Sequence, residues 1–220
     1  MLERLVEGYA AAADPVRAAA MGTYMREQFP FLGIPSPLRR TLSRAVLAGL
    51  PRPDEDDLRE VALACWDLPE REYRYFALDW LSRYASLAPA GFLVTARFLI
   101  TTDPWWDTVD GLASNVVGTI VSNHPATVST MDSWLAEDDL WLIRTALLHQ
   151  LTYKDRTDAE RLFRYCVARA GHRDFFIRKA IGWALRQYAW TEPELVRRFV
   201  LEHRALLSPL SVREALKNVE

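Results

Sequence analysis

The chain has 220 residues, half of them apolar and a quarter charged, with a net charge of −2; this is the make-up of a soluble globular protein able to bury a substantial core. No apolar run nears the roughly 20 residues that span a bilayer, and the acid-bearing, discontinuous start does not read as a signal peptide. Cys65 and Cys166 stand far apart in no CxxC or zinc spacing, which points to reduced thiols and a cytoplasmic location.

Taken in chain order, helix signals recur and strand signals do not. Ser36-Pro37 sets a capping side chain before a proline suited to a first helical turn. The acidic stretch from Pro51 to Asp57 reads as a surface loop. After it, Leu58, Val61, Ala62, Cys65 and Trp66 repeat at helical spacing, as do Phe76, Trp80, Leu81 and Tyr84. A break at Ala88-Pro89-Ala90-Gly91 precedes another start at Asp103-Pro104. Further breaks fall near His124-Pro125, across 154–158 and at Gly171-His172. Thr157…Glu160, Thr191…Glu194 and Ser211…Glu214 have the spacing of capping boxes, and Ser208-Pro209 repeats the cap-then-proline pattern. There is no Asn-Gly or Asp-Gly hairpin. The chain is predicted to be all-α.

A longer period overlies these helices. Arg40, Tyr75, Asp110, Arg144, Arg178 and Arg213 follow one another at intervals of 35, 35, 34, 34 and 35. A small residue keeps register with this column, as Ala77, Ala146, Ala180 and Ala215 show. Two helices fit in 34–35 residues, so the period predicts one domain over 1–220, a superhelical solenoid of about six short HEAT-like helix pairs. The tetratricopeptide and ankyrin signatures are missing. Each column residue would sit early in the second helix of its pair and line a concave face.

That column carries the chemistry. Four of its six members are arginines, whose guanidinium groups grip phosphate bidentately; read singly, each arginine fits an inter-repeat salt bridge just as well. Charge is uneven in the same sense: residues 141–220 hold fifteen Lys and Arg against nine Asp and Glu, while residues 1–140 hold twelve against twenty. The one acid, Asp110, lies a helical turn after Trp106, so both project from one face. Trp183 lies between Lys179 and Arg186 at helical spacing; packing between repeats is its structural alternative. The four histidines show no ligand spacing, and no Gly-rich phosphate loop, hydrolytic triad or HExxH occurs. The pattern thus implies neither metal nor cofactor.

Across Tyr24-Met25, Phe31–Ile34, Trp66–Glu72, Trp105–Asp110, Trp141–Arg144, Phe175–Trp183 and Leu210–Ala215 the chain resembles the AlkD family of alkylpurine DNA glycosylases, which are built from HEAT-like repeats. The resemblance implies excision of cationic N3- or N7-alkylated purines from double-stranded DNA, without base flipping; a one-sided groove makes a monomer the expected state. It implies Asp110 as the catalytic carboxylate and Trp106 and Trp183 as aromatic walls. Arg144 would be a DNA-backbone contact and Tyr24 a further groove residue, with Arg40, Arg178, Lys179, Arg186 and Arg213 as the remaining basic DNA-binding side chains. Asp110 and Trp183, two repeats apart, would be on the order of 20 Å apart along a straight stack, so they can share a lesion only if the stack curves tightly. Two other readings stay open from the residues alone. One is a non-catalytic HEAT scaffold that binds nucleic acid or protein; the other is an RNA-binding module.

Overall fold

The computed structural model describes residues 1–219, the side chain of Asn218 excepted. All regular structure among them is helical, as the sequence predicts. They gather into two compact units, Met1–Ala88 and a second that begins at Pro89, where the sequence reading takes one domain over 1–220.

The first unit holds α1 (Leu2–Ala10), α2 (Pro15–Tyr24), α3 (Ser36–Leu47), α4 (Glu55–Trp66) and α5 (Arg71–Tyr84). The second holds α6 (Leu93–Thr101), α7 (Trp106–Gly111), a π-helical turn (Leu112–Val117), α8 (Gly118–Asn123), α9 (Val128–Ala136), α10 (Leu140–Leu148), α11 (Ala159–Ala168), α12 (Phe175–Tyr188), α13 (Pro193–Glu202) and α14 (Pro209–Ala215). Every column residue is the fourth or fifth residue of its helix: Arg40 of α3, Tyr75 of α5, Asp110 of α7, Arg144 of α10, Arg178 of α12 and Arg213 of α14. Ala77, Ala146, Ala180 and Ala215 are fully buried, so small residues recur where neighbouring helices approach.

The helix starts are set mainly by aspartates. Asp14, Asp139, Asp158 and Asp174 each accept a backbone N–H from the first turn of α2, α10, α11 and α12. The three capping boxes expected at Thr157, Thr191 and Ser211 do not form. Asp158 caps α11 in place of Thr157, α13 has no side-chain cap, and Ser211 lies inside α14, whose cap is Ser208. The box that does form is Asp54 with Asp57. The acidic Pro51–Asp57 stretch is therefore half helix rather than loop, because Glu55, Asp56 and Asp57 at the first turn of α4 complement the helix dipole.

In the first unit the segment after Tyr24 is fixed from α5. The buried carboxylate of Glu72 accepts the backbone N–H groups of Leu32, Gly33 and Ile34 at 2.8–3.1 Å, and Arg71 stacks 3.8 Å from the Phe29 ring. In the second unit α10 is central. It packs on α6, α9, α11, α7 with its π turn, and α12, which in turn packs on α14.

One close approach holds α8 to α10. A Cβ on Gly118 would lie 2.2 Å from the His149 carbonyl oxygen, and the Tyr153 hydroxyl donates to the Gly118 carbonyl at 2.6 Å. Gly118 directly follows the π turn, so this contact fixes the far end of the helix that carries Asp110. Gly118→Ala is expected to lose about 3 kcal/mol of stability by overpacking, measured by urea unfolding followed by circular dichroism. A loss below about 1 kcal/mol would mean that the helix shifts freely there.

Candidate active site

Trp106 opens α7 and Asp110 follows one turn later, before the backbone widens into the π turn at Leu112. Single π turns inserted in α-helices are frequent at functional positions, because the wider turn re-aims the side chains around it. Ser114 Oγ donates to the Asp110 carbonyl at 2.8 Å and holds the backbone at this junction.

Arg144 reaches Asp110 from α10. Its Nε donates to Oδ1 at 2.7 Å and its Nη2 to Oδ2 at 2.8 Å, a side-on fork. The third nitrogen, Nη1, donates to the Phe176 carbonyl of α12 at 2.5 Å. One guanidinium therefore ties three successive helix pairs together at the N-terminal ends of their second helices. Arg144 is only 3% exposed, whereas the Asp110 side chain keeps 16% of its surface open. Burial pushes the Asp110 carboxyl above the usual aspartate range against the pull of Arg144, and Asp107 adds to the push.

Aromatic side chains brace this pair. The rings of Trp105, Trp141 and Phe176 lie 5.0–5.9 Å from one another, centroid to centroid. Trp105 precedes α7 and Phe176 lies in the first turn of α12, so the third and fifth pairs touch directly across the fourth. That contact is far shorter than the roughly 20 Å between alternate pairs of a straight stack. Trp183 is seven residues past Phe176, which is about 10 Å along α12 on the same helical face.

Beside Trp183 lies a second charged centre. Glu214 of α14 has a side chain only 4% exposed and takes Lys179 at 2.9 Å, Arg186 at 2.8 Å and Lys217 at 2.6 Å. The helices can close on it because residue 182 is glycine: a Cβ there would lie 2.5 Å from the Glu214 Cβ. Burial alone would raise the Glu214 carboxyl, but the bonds and charges of Lys217 and Lys179 outweigh it and hold it at about 2.

Residues 5–219 match the model of a family described as DNA alkylation repair enzyme. The chain belongs to that family. Among solved structures, a predicted DNA alkylation repair enzyme from Enterococcus faecalis is 33% identical, with 93% of this chain and 95% of that one covered and a TM-score of 0.83. The protein smu.31 from Streptococcus mutans UA159 shares the fold at 17% identity, with 84% and 97% covered and a TM-score of 0.62. None of the curated proteins is similar in sequence. Membership of the DNA alkylation repair enzyme family gives the chain a role in the repair of alkylated DNA, and no described helix is long and apolar enough to cross a membrane.

Among the residues singled out in this alkylation-repair chain, Asp110, Trp106, Arg144, Arg178, Lys179, Trp183, Arg186 and Arg213 fall in the second unit. Tyr24 and Arg40 fall in the first, both exposed. Arg144 departs from expectation. Its donors face a carboxylate and a carbonyl inside the protein, so in this structure it positions Asp110 instead of presenting itself to a phosphate. Lys179 and Arg186 are likewise tethered, to Glu214, and Arg178 Nε donates to the His172 carbonyl at 2.9 Å. Arg213 is exposed and forms no ion pair among the described residues. Four residues of this neighbourhood escape the sequence reading: Trp105, Trp141, Phe176 and Glu214. Glu214 carries a misleading signal, since its spacing from Ser211 imitates a capping box.

The Glu214 cluster sets a pH dependence. Its folded-state value near 2 lies below the 4.5 of an ordinary glutamate, so its contribution is complete above pH 4.5 and is lost as pH falls towards 2. Glu214→Gln is expected to cost about 2 kcal/mol at pH 7, less than the full shift implies because Lys179 and Lys217 are partly solvated. In urea titrations the gap between wild type and variant should narrow below about pH 4.5. A gap that stayed constant down to pH 3 would remove Glu214 from this role.

Proposed function

We propose that the chain is an AlkD-type DNA glycosylase that hydrolyses the N-glycosidic bond of cationic N3- and N7-alkylpurines in double-stranded DNA, acting as a cytoplasmic monomer. The observation that carries this reading is Asp110: a carboxylate held by a bidentate arginine, partly open to solvent, one turn from Trp106. A purine alkylated at N3 or N7 is positively charged and leaves as a neutral base. The reaction therefore needs no acid to protonate the leaving group, unlike glycoside hydrolysis by a carboxylate pair. One carboxylate suffices.

Asp110 stabilises the positive charge that grows on the deoxyribose as the bond lengthens, and it orients the attacking water. Arg144 fixes the carboxylate before substrate arrives, so no reorganisation is needed during the reaction. Each oxygen accepts one bond from Arg144, which leaves further lone pairs to face the sugar. Trp106 and Trp183 offer π-faces to the cationic nucleotide, each worth about 0.5–2 kcal/mol. The base need not leave the stack, because what is recognised is charge on the nucleotide. Arg213, Arg40 and Tyr24 lie at the surface and, with Arg178, supply the contacts to the DNA backbone, while Lys179 and Arg186 are held on Glu214.

Single-turnover release of 7-methylguanine from a defined duplex tests this. Asp110→Asn should bind the duplex within about threefold of wild type and lose at least about 100-fold in excision. Equal loss of binding and excision would make Asp110 structural, and no release by wild type would leave a DNA-binding scaffold. Because burial raises the carboxyl above its ordinary 3.8, wild-type excision should fall with acidification around a midpoint above that value, after the Asp110→Asn background is subtracted. A rate flat down to pH 4 would exclude an ionised carboxylate from the rate-limiting step.

A further inference from the structure

Trp183 stands between two cations of its own helix. Lys179 lies four residues before it on α12 and Arg186 three residues after, the two spacings at which helical side chains meet. An indole is the strongest cation–π acceptor among the side chains, so both cations have a reason to fold over this ring. Elsewhere in the chain the same spacings do place a guanidinium over an aromatic ring. Arg156, three residues after Tyr153, lies 5.4 Å from that ring. Arg161, four residues before Tyr165, lies 5.8 Å from its ring. There the Tyr165 hydroxyl donates to Asp132, the carboxylate partner of Arg161, at 2.8 Å, so the acid itself sits beside the ring. Among the described residues no cation stands over Trp183.

What differs at Trp183 is where the acid lies. Glu214 is on another helix, α14, and its carboxylate takes Lys179 at 2.9 Å through Oε1 and Arg186 at 2.8 Å through Oε2. Each oxygen thus holds one of the two neighbours of the indole. Gly182, beside Trp183, lets the acid come this close, since a Cβ there would lie 2.5 Å from the Glu214 Cβ. On an α-helix, residues 179, 182 and 186 form one stripe, whereas 183 lines up with Phe176, whose ring meets Trp105. The clamp therefore draws both cations to the side of α12 that meets α14, away from the indole. With its carboxyl held at about 2, Glu214 is ionised at neutral pH and keeps them there.

We infer that Glu214 is a positioning residue that holds Lys179 and Arg186 off the Trp183 ring, and so keeps a π-face vacant for the positive charge of an alkylated purine nucleotide. The inference rests on the glycosylase reading for the substrate, but not for the state of the ring. A resident cation over the indole competes with the substrate in two ways: it occupies the face, and its like charge repels the lesion. Preference for a cationic base is then set in part by a carboxylate that is itself buried.

Two measurements on the whole chain test this. In a crystal structure of Glu214→Gln, Arg186 or Lys179 should lie within about 6 Å of the Trp183 ring centroid, and in wild type neither should. In single-turnover release of 7-methylguanine at saturating protein, where weaker DNA binding does not register, Glu214→Gln should be about 2- to 30-fold slower than wild type. The triple variant Lys179→Met/Arg186→Met/Glu214→Gln should recover most of that rate, because no cation remains to cover the ring. In a Trp183→Leu background, Glu214→Gln should cost nothing further. A purely structural carboxylate gives the opposite pattern: the triple variant stays slow, and the loss persists without Trp183. Either of those results would overturn the inference, as would a clear ring or an unchanged rate in Glu214→Gln. If wild type releases no base, the glycosylase reading fails, and ring occupancy in Glu214→Gln still decides whether Glu214 holds the cations off.

Discussion

The second unit depends on one buried ion pair. Taking a carboxylate and a guanidinium out of water costs several kcal/mol per ion, and their attraction recovers it only with good geometry and further hydrogen bonds. Asp110 and Arg144 meet both conditions, through the side-on fork and the bond from Nη1 to the Phe176 carbonyl. The candidate reactive group is therefore also a packing element. Neither partner can be lost without leaving the other's charge stranded, and α7, α10 and α12 take their relative positions from the pair. A carboxylate held in this way has little freedom to turn, which is what preorganised charge stabilisation requires.

The same logic divides the basic side chains into two kinds. Arg144, Lys179, Arg186 and Lys217 are set against the part-buried carboxylate of Asp110 and the buried one of Glu214. They are cations in name, but much of their field ends on those acids. Arg40, Arg204 and Arg213 have no such partner among the described residues and project their charge outward. The net charge of −2 hides this division. So does the repeat column, which sets Arg144 and Arg213 in equivalent positions although one is buried and the other open. Electrostatic footprint follows exposure and pairing, not the count of arginines.

How much was legible in the sequence follows from the same distinction. The helices and the 34–35-residue register could be read because they depend on local periodicity, and each column residue does fall at the fourth or fifth position of its helix. Asp110 with Trp106 could be read because their relation lies within one turn. What stayed hidden depends on contacts between distant segments. The inward turn of Arg144 needs Phe176, 32 residues away, and the Glu214 centre needs Gly182 to let two helices close. The π turn has no spacing signature, since Leu112–Val117 reads as ordinary helix. Capping was misread for a chemical reason: Asp caps as well as Ser or Thr does, so Asp158 beside Thr157 took the position.

Curvature links these observations to selectivity. The contact between Trp105 and Phe176 brings the third and fifth pairs together, and on the proposed reading an acid on one and an indole on the other flank a single nucleotide. On the glycosylase reading, these side chains supply charge and polarisable surface but no proton. Among the described residues the acid that acts on Asp110 is Asp107, and its effect is like-charge repulsion. An undamaged purine must be protonated to leave readily, and a site with one ionised carboxylate has nothing to give it. An N3- or N7-alkylpurine already carries the charge that such a proton would supply. Discrimination then resides in the leaving group: the lesion brings its own activation, and the protein stabilises the sugar cation that remains.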